Sequence, residues 1–231
     1  MTKIGRFDEL AQNFLDKTIT KKQLLKMVKE DSSLIPLLLE GVGHKKASVR
    51  YGCSSVLMNL SENNPELLYP EFDFFVKLLD IKYRILTWNA FTIIANLTQV
   101  DDGKKFDAIF EKYYSFLDNE YMVTVANVVG NSGKIANSKP YFVPKITEKL
   151  LRVQNLSTTP HLTEECKKVI AQQAIASFDL FFDNIGQQQE QVINFVKSHV
   201  GSSRKKLNKK AEKFLEKWTR KATSTTNSNS I

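Results

Sequence analysis

IKYRILTWNAFTIIANLT, residues 81–98, decides the fold. Leu86, Ala90, Ile93, Ile94 and Leu97 recur at steps of three and four, so they share one face of an α-helix and lack the period of two that marks a strand. Residues 47–62 repeat the pattern with Val49, Cys53, Val56, Leu57 and Leu60, and residues 207–218 with Leu207, Ala211, Phe214, Leu215 and Trp218. Start signals agree. Thr20 followed by Gln23 has capping-box spacing, and Thr163 precedes Glu164 and Glu165, whose charges suit the positive end of a helix. No segment sustains a period of two, and nine glycines and six prolines are few for a turn-rich β fold of 231 residues. The expectation is an all-α chain.

The helices also repeat. Pro36 lies 14 residues before Arg50, and Pro70 lies 14 before Arg84, an offset of 34 between units. Leu79-Asp80 through Tyr83 recurs as Leu117-Asp118 through Tyr121, offset by 38, and Asn59-Leu60-Ser61 recurs as Asn96-Leu97-Thr98, offset by 37. Periods of this size belong to two-helix repeats, in which one pair cannot bury its own apolar face and must stack on its neighbours. First helices are expected at about 33–42, 65–79, 103–117, 140–153 and 188–200. Second helices are expected at about 47–62, 81–98, 120–137, 163–183 and 203–221.

These anchors resemble the HEAT family, whose first helix contains a proline, with an aspartate near the turn and Val-Arg opening the second helix. Pro36 with Val49-Arg50, and Pro70 with Asp80 and Tyr83-Arg84, follow that pattern. The third unit keeps Asp118 but has Met122-Val123 in place of the arginine, and the fourth keeps Pro140 and Pro144 but carries an insertion at 154–162. Leu57-Met58-Asn59-Leu60 and Ile94-Ala95-Asn96-Leu97 resemble the long third helix of the related armadillo repeat. The resemblance implies a right-handed α-solenoid of about five HEAT-like pairs, of ARM type, forming one domain over 1–222. In it, 1–32 supplies N-terminal capping helices, 33–202 the repeats and 203–222 a basic C-terminal cap. Residues 223–231, polar and of low complexity, are expected to be disordered.

The charge is uneven. Of 33 Lys and Arg, nine fall in 203–222, against two of the 25 acidic residues, so the net +8 is largely local to that segment. Cys53 and Cys166 are far apart and form neither a disulfide framework nor a zinc motif. The opening MTKIGRFDEL has no apolar core, and no run approaches the length of a membrane span, so a cytoplasmic protein is expected.

Motifs for chemistry are absent. Gly130-Asn131-Ser132-Gly133-Lys134 hints at a phosphate loop, but Val128 stands where the first glycine is needed and Ile135 where a Ser or Thr is needed. His44, His161 and His199 lack metal-ligand spacing and read as surface residues. No metal or cofactor is expected, and the chain reads as a non-catalytic module. One family of alkylpurine DNA glycosylases with a HEAT-like fold is similar in length. It uses a concave Trp with Asp and Arg, and no such constellation accompanies Trp88.

The resemblance implies that second helices line a concave face. Opposite their apolar stripes lie Tyr51, Ser55 and Met58, then Trp88, Thr92 and Asn96, then Asn127, Asn131 and Lys134, then Gln172 and Asp179. Aromatic and amide groups of this kind suit another protein or a peptide, because aromatic rings give contact area at low entropy cost and amides pair with a bound backbone. The alternative surface is the C-terminal helix, where Arg204, Lys205, Lys206, Lys209, Lys210 and Lys213 could neutralise the phosphates of a nucleic acid.

Overall fold

The computed structural model describes residues 3–228, with side chains over 8–218. Among these residues the regular structure is helical, apart from one isolated bridge between Thr159 and Leu162. The chain divides into two compact units, Met1–Ile109 and Phe110–Ile231.

The first unit opens with α1 (Lys3–Leu15) and α2 (Lys21–Glu30). Thr20 and Gln23 form the expected capping box: Gln23 N–H donates to Thr20 Oγ1 at 3.2 Å, and Thr20 N–H donates to Gln23 Oε1 at 2.9 Å. Next come α3 (Ile35–Val42), α4 (Ala47–Asn63), α5 (Pro65–Leu68), α6 (Phe72–Lys77) and α7 (Arg84–Leu97). The stretch expected as one helix over 65–79 is broken. Pro70 carries no N–H to donate to Glu66 O and its ring crowds that carbonyl, so α5 stops at Leu68 and a 3-10 turn over Tyr69–Glu71 intervenes. On α7 the stripe Leu86, Ala90, Ile93, Ile94 and Leu97 is buried throughout, and on α4 so are Val49, Cys53, Val56, Leu57 and Leu60.

Helix α8 (Lys105–Ser115) crosses from the first unit into the second. Asp101 organises its start. One carboxylate oxygen accepts from Lys105 N–H at 2.7 Å and from the Tyr69 hydroxyl at 2.6 Å, and the other from Phe106 N–H at 3.0 Å. A buried carboxylate needs such partners, and the two backbone donors belong to the otherwise unsatisfied first turn of α8.

The second unit continues with α9 (Met122–Ser138), α10 (Val143–Leu151), α11 (Glu164–Phe181), α12 (Gln189–Lys197) and α13 (Lys205–Ser228). Gly133 brings α9 against α11: a Cβ there would stand 2.9 Å from Ser177 O and 2.6 Å from Leu180 Cδ1. At the same contact the Ser177 hydroxyl donates to Val129 O at 2.5 Å. The Gly-Asn-Ser-Gly-Lys segment therefore lies within a continuous helix, and Gly133 serves close packing. The insertion folds onto the start of α9. There the Thr159 hydroxyl donates to Glu120 O at 2.7 Å, and the His161 ring stacks on Tyr121 at 4.4 Å.

Leu207, Ala211, Phe214 and Trp218 of α13 are buried, and Phe182 meets both Phe214 and Trp218, at 5.1 and 4.8 Å. Burial of each large member contributes about 1.5–3 kcal/mol, which seats the helix despite its charge. Of the tail expected over 223–231, the backbone of 223–228 continues α13, and 229–231 lie outside the described residues.

Candidate functional site

On α4 and α7 the predicted residues Tyr51, Ser55, Met58, Trp88 and Thr92 are half-exposed. Ser55 and Met58 also line a groove of about 310 Å³ with Lys21, Lys22 and Leu25 of α2 and Glu62 of α4. Two hydrogen bonds from side-chain amides join α7 to α4. Asn89 Nδ2 donates to Ser54 Oγ at 2.9 Å, and Asn96 Nδ2 donates to Ser61 Oγ at 3.0 Å.

Asn96 thus departs from its expected place on the binding face, being 1% exposed. Each step of four residues advances about 40° around a helix. Two steps from Trp88 carry Asn96 about 80° off the face and into the flank against α4. Asn89, seven residues earlier, occupies that same flank. No sequence signal distinguished it, since its partner Ser54 is 35 positions away.

The second unit shows the same drift. Asn127 is half-exposed and donates from Nδ2 to Val123 O at 2.8 Å, whereas Asn131 is 8% exposed and donates to Asn127 O at 2.9 Å. Asn131 therefore also departs from the face. Lys134 and Gln172 are half-exposed.

Gln172 is tied to the basic helix. Its Oε1 accepts from Arg204 Nε at 3.3 Å, and Arg204 Nη1 donates to Glu165 at 3.1 Å. Hydrogen bonds from Lys168 and Arg204 hold the Glu165 carboxyl below the usual carboxylate range. Farther along, Asp179 Oδ1 accepts from Lys217 Nζ at 2.8 Å and from Trp218 Nε1 at 2.7 Å. Arg204, expected to meet phosphate, is thus engaged within the chain. Lys205, Lys206, Lys209 and Lys213 are exposed and Lys210 half-exposed, and among the described residues no ion pair holds them.

Burial pushes the Cys53 thiol up to about 12, so it stays protonated and packs as a small apolar group. Cys166 is half-buried at the start of α11, where the Thr163 hydroxyl meets its sulfur at 3.3 Å. His199 also differs from the surface residue expected: Nε2 is buried and the ring packs edge-on to Phe195. Among the described residues no group of three or more His, Cys, Asp or Glu side chains converges, and no helix is long and apolar enough to cross a membrane.

Two solved structures similar to this chain are designed armadillo repeat proteins. YIII(Dq)4CqI superposes with a TM-score of 0.54 at 20% identity, over 85% of this chain and 86% of that chain. YIII(Dq.V1)4CPAF, in complex with peptide (KR)4, superposes with a TM-score of 0.57 at 15% identity, over 90% of each chain. The fold is therefore of the armadillo/HEAT helical-repeat type. No family model matches the chain, and no curated protein matches it.

Proposed function

We propose that this chain is a non-catalytic binding module that takes up a segment of another protein along the outward face of its second helices. The observation that carries the reading is the row Tyr51, Ser55, Trp88 and Thr92 on the adjacent helices α4 and α7. Its aromatic and hydroxyl groups are half-exposed, and two hydrogen bonds from asparagine side chains to serine hydroxyls below them join the helices. A rigid, partly apolar strip with polar groups interspersed is what an extended peptide needs for contact area and backbone pairing. In the second unit the candidates Asn127 and Lys134 of α9 and Gln172 of α11 are half-exposed as well. The repeat fold, and the complex of one similar structure with a peptide, support the same class of partner.

The test is affinity capture from lysate with the full chain, repeated with Trp88→Ala and with Tyr51→Ala, the retained proteins being identified by mass spectrometry. Loss of the same specific partners from both variants, with unchanged melting curves, is the expected result. Retention of every partner by both would remove this face from consideration.

A further inference from the structure

Lys206, Lys210, Lys213 and Lys217 follow one another along α13 at steps of four, three and four, so they form a single stripe. Lys217 reaches Asp179, which places the stripe on the flank of α13 that borders α11. Toward the start of α13, Arg204 is fixed to Glu165. Between Glu165 and Asp179 the sequence of α11 contains no acidic residue. Lys206, Lys210 and Lys213 therefore stand along one flank without a carboxylate among the described residues within 4.0 Å. Neighbouring like charges on a helix destabilise it, and an anionic ligand reverses the sign of that effect.

We propose that this stripe docks an acidic segment of the partner protein, lying extended along α13 with carboxylates at alternate residues. This rests on reading the chain as a protein-binding module and names the chemistry of its partner. From Lys206 to Lys217 the helix rises about 16 Å, the reach of about five extended residues. The steps between lysines rise about 6, 4.5 and 6 Å, somewhat shorter than the roughly 6.6 Å between side chains on one side of an extended strand, a difference that the long lysine side chains span. A nucleic acid fits less well. A long phosphate chain needs basic groups beyond the stripe, and Arg204 and Lys217 at its two ends are already engaged by Glu165 and Asp179. The aromatic residues Phe214 and Trp218 are buried and offer no surface on which bases could stack.

The experiment measures fluorescence anisotropy of a labelled (Glu-Ser)4 peptide with the full chain, beside (Lys-Ser)4 and single-stranded and duplex DNA. It is run at about 50 and about 300 mM salt, which shortens the screening length from about 14 to about 6 Å. Two double charge reversals are compared: Lys206→Glu/Lys213→Glu on the stripe, and Lys145→Glu/Lys197→Glu on α10 and α12, which changes net charge equally. The expected result is that (Glu-Ser)4 binds more tightly than the other probes and weakens with salt. It then loses roughly tenfold on reversal of the stripe and less than about twofold on reversal of the control pair. Lys206→Ala/Lys213→Ala serves if the reversal perturbs the circular dichroism spectrum. Equal losses in both double variants, unchanged binding in the stripe variants, no binding of (Glu-Ser)4, or tighter binding of DNA would each overturn the proposal. If it falls while Trp88→Ala still loses its captured partners, the module reading stands and only the acidic partner is removed.

Discussion

The Asn96 side chain donates to the Ser61 hydroxyl across the α4–α7 contact, and that hydroxyl in turn donates to Met58 O at 2.7 Å. Both side chains are buried, so the serine acts as a relay between one helix's backbone and the next helix's amide. Replacement of Ser61 by Ala leaves a buried amide without its acceptor, and a loss of about 1–3 kcal/mol is expected. Asn89→Ala, at the half-exposed end of the same ladder, costs about 0.5–1.5 kcal/mol, because water can replace the lost partner. Urea unfolding of Ser61→Ala, Asn96→Ala and the double variant checks this. Strict additivity of the two losses would show that the residues do not act as a pair.

The two glycines of α9 make opposite predictions. Gly133→Ala places a methyl group 2.9 Å from Ser177 O, a backbone atom that cannot move without shifting α11, and a loss of about 1–3 kcal/mol follows. Truncating Leu180 in the same variant relieves only the side-chain part of the clash. At Gly130 a methyl group meets Gln173 Oε1 at 3.5 Å, an ordinary contact, so Gly130→Ala gains from helix propensity, by up to about 1 kcal/mol. Thermal melts that order the variants Gly130→Ala, wild type, Gly133→Ala by falling stability are the expected outcome. A neutral Gly133→Ala would contradict the close approach of α9 to α11.

His199 introduces a pH dependence. Burial holds its pKa below the ordinary histidine value, and Nε2 has no hydrogen-bond partner. The unfolded chain therefore binds a proton first as pH falls, near about 6.5, and stability is lost from there down toward the lower native value. Above that window the contribution is fully present. Between about pH 7.5 and 5.5, His199→Phe should show a smaller fall in melting temperature than the wild type, because carboxylates titrate mostly below that range. Parallel profiles for the two proteins would refute the assignment.

The fold was legible because packing between helix pairs imposes a period, and a period survives in a single sequence. Cross-helix bonds lie 35 residues apart between Ser61 and Asn96, 38 between Glu111 and Lys149, and 39 between Glu165 and Arg204, close to the 34–38 read from repeated anchors. The break at Pro70 was less visible, since residues 65–79 keep an apolar pattern across it. The candidate face was legible only in part. Trp88 and Thr92 are half-exposed on α7, while Asn96 has rotated into the flank. Arg204 carries the same charge as its exposed neighbours, and only the folded chain brings it to Glu165. Polar residues that satisfy one another across helices look, in sequence, like polar residues that await a ligand.

The side-chain hydrogen bonds described here span at most 48 residues, from Ser177 to Val129. The links among them that join helices, such as Ser61 to Asn96 and Glu111 to Lys149, tie one helix pair to the next, so ordering one pair requires little prior loop closure. Chains built this way have low contact order and assemble quickly from either end or the middle. Injury to one pair then propagates as far as its neighbours and is diluted beyond them, unlike the all-or-none collapse of a domain organised around a single centre.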